Sequence, residues 1–252
     1  MIIAIIQARM GSTRLPGKVL MEVNDRPLLA YQLDRILKSR KLDKVVVATS
    51  DLEKDDAIEH FCKEYGVDCY RGSENDVMTR YHDCAKLYNY NTVVRMTADC
   101  PLIDPDIIDK VVQRFEDDDV DYCANTVPPE TSKFPDGSDI EVFSMQALER
   151  ANIEVQDEHR REHVTFQFWQ DQNYTSSQYT QDKDWSKYRV TIDYPEDFEV
   201  VNYIFDELKS KRIFGSLNEI INIIDHNQKI RDKNSKYYFG IGWDNDPVNN
   251  SV

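Results

Sequence analysis

The sequence predicts an α/β fold built on a doubly wound, mostly parallel sheet with helices on both faces. Residues 2–6 form a continuous apolar run, the pattern of a parallel strand covered on both faces, and residues 44–49 and 92–97 are predicted to be further strands. Segments with apolar residues at helical spacing follow them, so strand and helix alternate as in βαβ units. A chain of 252 residues can bury one sizeable core, so we expect one α/β domain with a smaller lobe.

The alternation is regular up to residue 115. In chain order we predict a strand at 2–6, a helix opened by Asp25 and Pro27, a strand at 44–49, an acidic helix ending at Phe61, a strand at 67–70, a helix at 75–90, a strand at 92–97, and a helix from Asp104 to about Phe115. Asp104 precedes Pro105, the usual order of a helix cap and a first-turn proline.

The second half of the chain is less regular. Residues 121–187 are predicted to form an inserted lobe that could serve as a dimer arm, with strands near 122–125, 140–143 and 174–179. A strand at 188–192 and a helix at 196–209 then complete a main domain of residues 1–215. Residues 216–252 are predicted to be a C-terminal helix, at 217–230, and a polar tail, which comprises the last dozen residues.

Composition excludes several classes of protein. The formal charge of −15 argues against a nucleic-acid-binding surface, because phosphate backbones require a basic face. The five cysteines include no CxxC pair, which is typical of reduced thiols in a cytosolic protein. The apolar start is too short for a signal peptide or membrane span. We therefore expect a cytoplasmic protein without nucleic-acid or membrane partners.

The strongest functional signal is the segment QARMGSTRLPGK, at residues 7–18, directly after the first strand. Loops at the carboxyl ends of parallel strands form the ligand crevice, and glycines let backbone N–H groups approach phosphate closely. Arg9, Arg14 and Lys18 supply three cations, and no acidic residue precedes Glu22. In so acidic a chain, this segment indicates a polyphosphate site. A P-loop and a GxGxxG dinucleotide motif are both excluded by the glycine spacing.

With this loop, the chain resembles the CMP-KDO synthetase and N-acylneuraminate cytidylyltransferase superfamily, and most closely its spore-coat polysaccharide biosynthesis group. Further segments are similar to that group in the same order: GSENDVMTRY, RMTADCPLID, DIEVFSMQALERA, REHVTF and VTIDYPEDFE. The resemblance covers residues 1 to about 205 and does not extend beyond about 215. It implies a nucleotide-diphospho-sugar transferase-like fold and a homodimer.

Two aspartates follow predicted strands and would open toward the same edge as the basic loop. Asp99 follows TVVRMTA and Asp193 follows YRVTI. From spacing alone Asp193 could equally cap the next helix. The resemblance implies that both carboxylates hold Mg²⁺, which proteins typically bind through one or two carboxylates plus phosphate oxygens and water.

The resemblance also implies a mechanism, in which a hydroxyl of an acidic sugar or related acid attacks the α-phosphorus of CTP and diphosphate leaves. The catalytic residues would be Arg14, Lys18, Asp99 and Asp193, with electrostatic stabilisation of the leaving group by the two cations. The nucleotide would be bound by the loop and by part of NDVMTR, that is by Ala8, Arg9, Gly11, Ser12, Arg14, Lys18, Asp76 and Arg80. Asp76 and Arg80 could instead belong to an ordinary charged helix start.

The acceptor side is expected in QDEHRREHVTF and DIEVF. Arg161 and His163 are the favoured acceptor-binding residues, with Glu141 accepting from a hydroxyl. These residues could equally form a solvated helix face, with His163 packed against Phe166.

Three other functions are compatible with parts of the sequence. HRREH at 159–163 matches the HxxEH zinc-peptidase pattern, although such a site needs a third ligand. A GT-A glycosyltransferase would share the nucleotide-binding half, but its DxD-type pair is replaced by a single aspartate in Ala98-Asp99-Cys100-Pro101. A non-catalytic subunit would bind CTP without releasing diphosphate.

Overall fold

The structure, a computed structural model, describes residues 1–241, and residues 242–252 of the predicted polar tail lie outside the described residues. The strands are β1 (Ile2–Gln7), β2 (Glu22–Val23), β3 (Arg26–Pro27), β4 (Lys44–Ser50), β5 (Asp68–Gly72), β6 (Thr92–Thr97), β7 (Tyr122–Ala124), β8 (Glu141–Ser144) and β9 (Ser176–Gln178). The helices are α1 (Leu28–Ile36), α2 (Asp56–Tyr65), α3 (Val77–Tyr88), α4 (Pro105–Asp118), α5 (Met145–Glu154), α6 (Glu158–His163), α7 (Phe166–Gln170), α8 (Pro195–Lys211), α9 (Leu217–Asp225) and α10 (Gln228–Arg231).

Among the described residues, seven strands form one sheet in the order β5-β4-β1-β6-β8-β7-β9. Strands β5, β4, β1 and β6 are mutually parallel, whereas β8 runs antiparallel to β6 and β7. The chain moves outward from β1 to β5 and then returns to the other side of β1. The predicted doubly wound, mostly parallel α/β sheet is confirmed, and its crevice lies where β1 and β6 end side by side.

Two apolar cores cover the sheet, because β1 presents alternate side chains to opposite faces. Ala4 and Ile6 pack into one core with α1, α4, α8 and α9. Ile3 and Ile5 pack into the other with α3 and α5. Burial on both faces explains the uninterrupted apolar run. Within residues 1–241, no helix is both long and apolar enough to cross a membrane.

Three predicted elements differ from the structure. The helix predicted to open at Asp25 begins at Leu28, because Asp25 lies in the turn of the antiparallel pair β2–β3. The helix predicted over 217–230 is interrupted, because Asn227 adopts an extended backbone and caps α10 by accepting from the Ile230 N–H. The strand predicted over 188–192 is extended chain with an isolated bridge between Asp136 and Arg189. Its side chains are nevertheless buried, which is why the apolar pattern resembled a strand. The five cysteines are free thiols, as predicted.

The predicted lobe, residues 121–187, contributes β7, β8 and β9 to the central sheet and α5, α6 and α7 to one face. Its strands continue the sheet beyond β6, so this part of the chain borders the same crevice. The division into a main domain and an inserted lobe stays a prediction.

Gly137 lies in the loop before β8, and its replacement tests how closely this loop packs on the segment before Asp193. Its φ is 96°, and an added Cβ would lie 2.2 Å from the Thr191 nitrogen. We expect Gly137→Ala to lower the free energy of unfolding by about 3 kcal/mol in urea denaturation. Gly66→Ala is the matched control, since Gly66 has φ 85° and no heavy atom of residues 1–241 within 4 Å of an added Cβ. It should cost about 1 kcal/mol. Equal losses in the two variants would contradict the close backbone contact.

Candidate active site

A cleft of about 850 Å³ opens at the carboxyl ends of β1 and β6. Nine of the predicted site residues lie along it: Arg9, Gly11, Ser12, Arg14, Lys18, Asp99, Glu141, His163 and Asp193. They come from the loop after β1, the turn after β6, strand β8, helix α6 and the segment before α8. Parallel strands that end at one edge bring these distant parts of the chain together.

The loop after β1 is held at both ends. At its start, the Ala8 N–H donates to the Ala48 carbonyl oxygen at 3.0 Å, and the Met10 N–H donates to the Asp55 carboxylate at 2.7 Å. Its far end closes on its start, because the Gly17 N–H donates to the Met10 carbonyl oxygen at 3.0 Å. Gly17 has a φ of 71°, a conformation that favours glycine. This closure directs Lys18 into the cleft.

Lys18 lies at the centre of the cleft and is itself 8% exposed. Its Nζ donates to Asp99 Oδ2 at 2.8 Å, to Asp193 Oδ1 at 2.8 Å and to the Ile192 carbonyl oxygen at 2.7 Å. The ammonium has three N–H donors, and these three oxygens use all of them. Two carboxylates separated by 94 residues therefore converge on one cationic position.

The charges in this cluster depend on one another. Burial alone would lower the pKa of Lys18, but the charges of Asp99 and Asp193 outweigh it and raise that pKa above its usual range. Burial would likewise raise the pKa of Asp99, yet the Lys18 charge and hydrogen bonds from Lys18 and Thr97 hold it well below its usual range. At neutral pH the cluster therefore contains an ammonium and an ionised Asp99.

Asp193 does not cap helix α8, so that alternative interpretation of its position is wrong. The N-cap residue is Tyr194, and the Asp197 carboxylate accepts from the backbone N–H groups of Asp193 and Tyr194, both at 3.0 Å, as in a capping box. The side chain of Asp193 turns into the cleft instead. There Arg14 Nη2 donates to its Oδ1 at 2.7 Å, in addition to the bond from Lys18. Asp104 does cap α4, as predicted.

Arg189 is a site residue that the sequence analysis missed. Its side chain is 4% exposed and binds Asp193 Oδ2 at 2.8 Å, Asp197 Oδ1 at 2.9 Å, and Asp136. Arg189 thereby fixes the rotamer of Asp193 from the side opposite to Lys18. The signal available in the sequence was the spacing of Arg189, Asp193 and Asp197, which are each four residues apart.

A second missed group is Asp139, on the floor of the cleft next to β8. It accepts from the Thr126 hydroxyl at 2.8 Å and from the Gly137 N–H at 2.9 Å. The Cys100 thiol lies 3.9 Å from Asp139 Oδ2 and 3.6 Å from Asp99 Oδ1. Burial raises the pKa of Asp139 to about 6. This carboxylate is thus held by neutral donors, unlike Asp99.

Four predicted residues are not among those lining the cleft: Ala8, Asp76, Arg80 and Arg161. Asp76 caps α3 and accepts from Arg161 Nη2 at 2.8 Å, and Arg161 also donates to the backbone oxygens of Asn152 and Val155. Because these partners occupy the guanidinium, the ion pair ties α6 to α3 rather than facing the cleft. Arg80 is 1% exposed and donates to the Ser73 carbonyl oxygen at 2.7 Å.

Glu141 and His163 also line the cleft. Glu141 accepts from the Tyr122 hydroxyl at 2.6 Å and the Thr165 hydroxyl at 2.5 Å, and pairs with Arg95. Burial opposes the charge of Arg95, but Glu141 outweighs it and raises the pKa of Arg95 above its usual range. The imidazole of His163 stacks on the Phe166 ring, with centroids 4.5 Å apart.

The zinc-peptidase alternative lacks a metal site in the described part of the chain. The rings of His159 and His163 lie 4.5 Å apart and are tilted by 59°. Across residues 1–241, no group of three or more His, Cys, Asp or Glu side chains is arranged to hold a metal ion. A catalytic zinc needs three protein ligands.

Comparison with known proteins identifies the family of this chain. The sequence profile of the cytidylyltransferase family matches residues 3–229. An uncharacterised protein of Methanocaldococcus jannaschii is 36% identical over 237 residues, covering 93% of this chain and 94% of that protein. The spore coat polysaccharide biosynthesis protein SpsF of Bacillus subtilis is 32% identical over 234 residues, covering 90% of this chain and 95% of that protein.

A solved cytidylyltransferase structure from Leptospira borgpetersenii superposes with a TM-score of 0.85 at 36% identity, over 91% of this chain and 96% of that chain. The predicted resemblance to these enzymes is thus confirmed, but the expectation that it ends by about residue 215 is wrong, because the family match continues to residue 229. This chain belongs to the cytidylyltransferase family and is a CTP-dependent enzyme of that family.

Proposed function

We propose that this enzyme transfers CMP from CTP to a hydroxyl of an acidic sugar or related acid, with Mg²⁺, during polysaccharide or glycan biosynthesis. We further propose that it acts in the cytoplasm as a homodimer. The observation that carries the proposal is the convergence of Asp99 and Asp193 on Lys18, next to a basic loop at the sheet edge. The loop supplies positive charge for a triphosphate, and the aspartates supply ligands for its metal.

The two aspartates suit a Mg²⁺ ion. Asp99 Oδ2 and Asp193 Oδ1 each lie 2.8 Å from the same ammonium nitrogen, so both oxygens already face one cationic centre. Mg²⁺ is commonly held by one or two carboxylates, with phosphate oxygens and water in the other positions. When bound, the ion would neutralise the triphosphate and polarise its α-phosphoryl group. Thr97 and Arg189 hold the two carboxylates in place.

The residues of the loop act on the leaving group. The acceptor oxygen forms a bond to the α-phosphorus, the bond from that phosphorus to the bridging oxygen breaks, and its electron pair leaves with diphosphate. The acceptor hydroxyl proton passes to solvent. Arg14 and Lys18 stabilise the charge that develops on diphosphate, since preorganised cations act most strongly where charge develops in the transition state. Arg9 lines the cleft and is 41% exposed, and its exposed pairing with Glu162 at 3.6 Å is weak enough for the outer phosphates to replace. No covalent intermediate on the enzyme is needed.

The resemblance to CMP-KDO synthetases supports an acidic acceptor, and the similarity to the Bacillus spore coat polysaccharide biosynthesis protein supports a role in polysaccharide biosynthesis. Of the residues expected to bind it, Glu141 and His163 border the cleft, whereas Arg161 is occupied by Asp76. The cleft also contains Thr126, Asp139 and Thr165, which can bind hydroxyls. An acceptor with several hydroxyls therefore fits this half of the site.

A screen for diphosphate release tests the proposal. The full-length enzyme is incubated with each of four nucleoside triphosphates and a panel of acidic sugars, with Mg²⁺ or with EDTA. We expect diphosphate only when CTP, an acidic sugar and Mg²⁺ are present together. Release of a nucleoside diphosphate from a nucleotide-sugar would instead support the glycosyltransferase alternative. CTP binding without diphosphate from any acceptor would support a non-catalytic subunit.

A further inference from the structure

We propose that the segment 234–241, called here the C-terminal segment, is part of the nucleotide site, and that Asn234 and Tyr237 are positioning residues for Asp193. This inference rests on the proposed role of Asp193 as a metal ligand. The segment lies beyond residue 229, where the match to the family profile ends.

Asn234 supports Asp193 through the start of helix α8. It is 4% exposed, and its Nδ2 donates to Asp197 Oδ1 at 2.9 Å and to the Arg189 carbonyl oxygen at 3.2 Å. Asp197 in turn binds the backbone N–H of Asp193 and the guanidinium of Arg189. One buried amide thus fixes both the backbone that carries Asp193 and the arginine that orients its carboxylate.

Tyr237 supports the same turn by ring stacking. Its ring lies parallel to that of Tyr194, with centroids 3.9 Å apart and an interplanar angle of 3°. The Tyr237 hydroxyl also donates to Glu196 at 3.1 Å. Tyr194 directly follows Asp193, and the guanidinium carbon of Arg14 lies 5.3 Å from the centroid of its ring. The Tyr237 ring therefore packs against the turn that places Asp193 next to Lys18.

The end of the segment reaches the cleft itself. Phe239, Gly240 and Ile241 are among the residues that line it, together with Arg14 and Asp193. The C-terminal segment thus makes two kinds of contact. Asn234 and Tyr237 support the turn at Asp193, and residues 239–241 line the cleft. A segment that only covered the protein surface would show neither contact.

The test measures Mg²⁺-dependent binding of CTP to the full-length enzyme by isothermal titration calorimetry, with Mg²⁺ and again with EDTA. For Tyr237→Ala we expect the dissociation constant of CTP to rise about tenfold with Mg²⁺, the scale of one lost aromatic stack. With EDTA it should stay within about twofold of wild type. Tyr237→Phe, which keeps the ring, should remain within about twofold in both conditions. Tyr238→Ala is the matched control, because Tyr238 is 56% exposed and is not among the lining residues.

The outcomes separate this inference from the proposed function. If Tyr237→Ala binds CTP like wild type with Mg²⁺, or loses the same affinity with and without Mg²⁺, the positioning role is overturned. A wild-type enzyme whose affinity for CTP is unaffected by Mg²⁺ would instead overturn the proposed metal site, and the inference with it. A melting temperature of Tyr237→Ala close to that of wild type establishes that the loss is local.

Discussion

Lys18→Ala is expected to lower the rate of diphosphate release from CTP by about 10²–10³-fold, the usual effect of removing one preorganised charge stabiliser. Lys18 is buried, its pKa is raised by Asp99 and Asp193, and its ammonium lies where the loop meets both aspartates. Alanine removes the cation that is proposed to stabilise the negative charge developing on the leaving diphosphate. The measurement is the initial rate of diphosphate release at saturating CTP and Mg²⁺, with the acceptor found in the screen.

The same variant has a second expected effect. Without the ammonium, the negative charges of Asp99 and Asp193 are less well neutralised. Mg²⁺ alone should therefore raise the melting temperature of Lys18→Ala more than that of wild type. Lys41→Ala is the control, because Lys41 pairs with Glu116 outside the cleft lining and should keep wild-type activity. Activity of Lys18→Ala near that of wild type would remove this lysine from the mechanism.

The parts of the fold that follow from local pattern were predictable from the sequence. Apolar runs and caps such as Asp104 identify the strands of the main sheet and the helices up to α4, because doubly buried strands need a continuous apolar pattern. The short pair β2–β3 has no such pattern and was not predicted. The convergence of Lys18 with Asp99 also follows, since parallel strands that end side by side bring their following loops together. That placement needs only the order of strands and no knowledge of packing.

The rest depends on contacts between distant parts of the chain. The pairing of Asp76 with Arg161 joins residues 85 positions apart, and nothing in either motif indicates that a helix cap and an ion pair use the same carboxylate. In the same way, Tyr194 rather than Asp193 is the N-cap residue of α8, because Arg14, Lys18 and Arg189 attract Asp193 into the cleft. Sequence spacing permitted either choice, and tertiary charge decided between them.

The contacts of the C-terminal segment were also not predictable from the sequence. The sequence predicts no element for Asn234 or Tyr237, which lie between the predicted helix and the polar tail of the last dozen residues. Asn234 is nevertheless buried against Asp197, and Tyr237 is stacked on Tyr194. An amide and an aromatic ring are common at surfaces, so composition alone gives no sign of a buried partner. The partner becomes apparent only when helix α9 brings the chain back across α8.

Asp99→Asn is expected to reduce diphosphate release by about 10²–10³-fold, because an amide supplies neither the negative charge nor the anionic ligand that a divalent ion requires. The change is nearly isosteric, and the side-chain oxygen of asparagine can still accept from the Thr97 hydroxyl, which lies 2.5 Å from Asp99 Oδ1. The folded state should therefore persist while the charge is lost. The direct readout is CTP affinity with and without Mg²⁺, and the difference between the two should shrink toward zero in the variant.

The control for Asp99→Asn must also lose a well-bonded carboxylate, and Asp109→Asn meets that requirement. Asp109 is 8% exposed and accepts from the Ser39 hydroxyl at 2.6 Å and Arg40 Nε at 2.9 Å, but it is not among the residues that line the cleft. Asp109→Asn should lower the free energy of unfolding without changing the effect of Mg²⁺ on CTP binding. If instead Asp99→Asn kept a full Mg²⁺ effect, the ion would have to bind elsewhere, and the pairing of Asp99 with Lys18 would be structural alone.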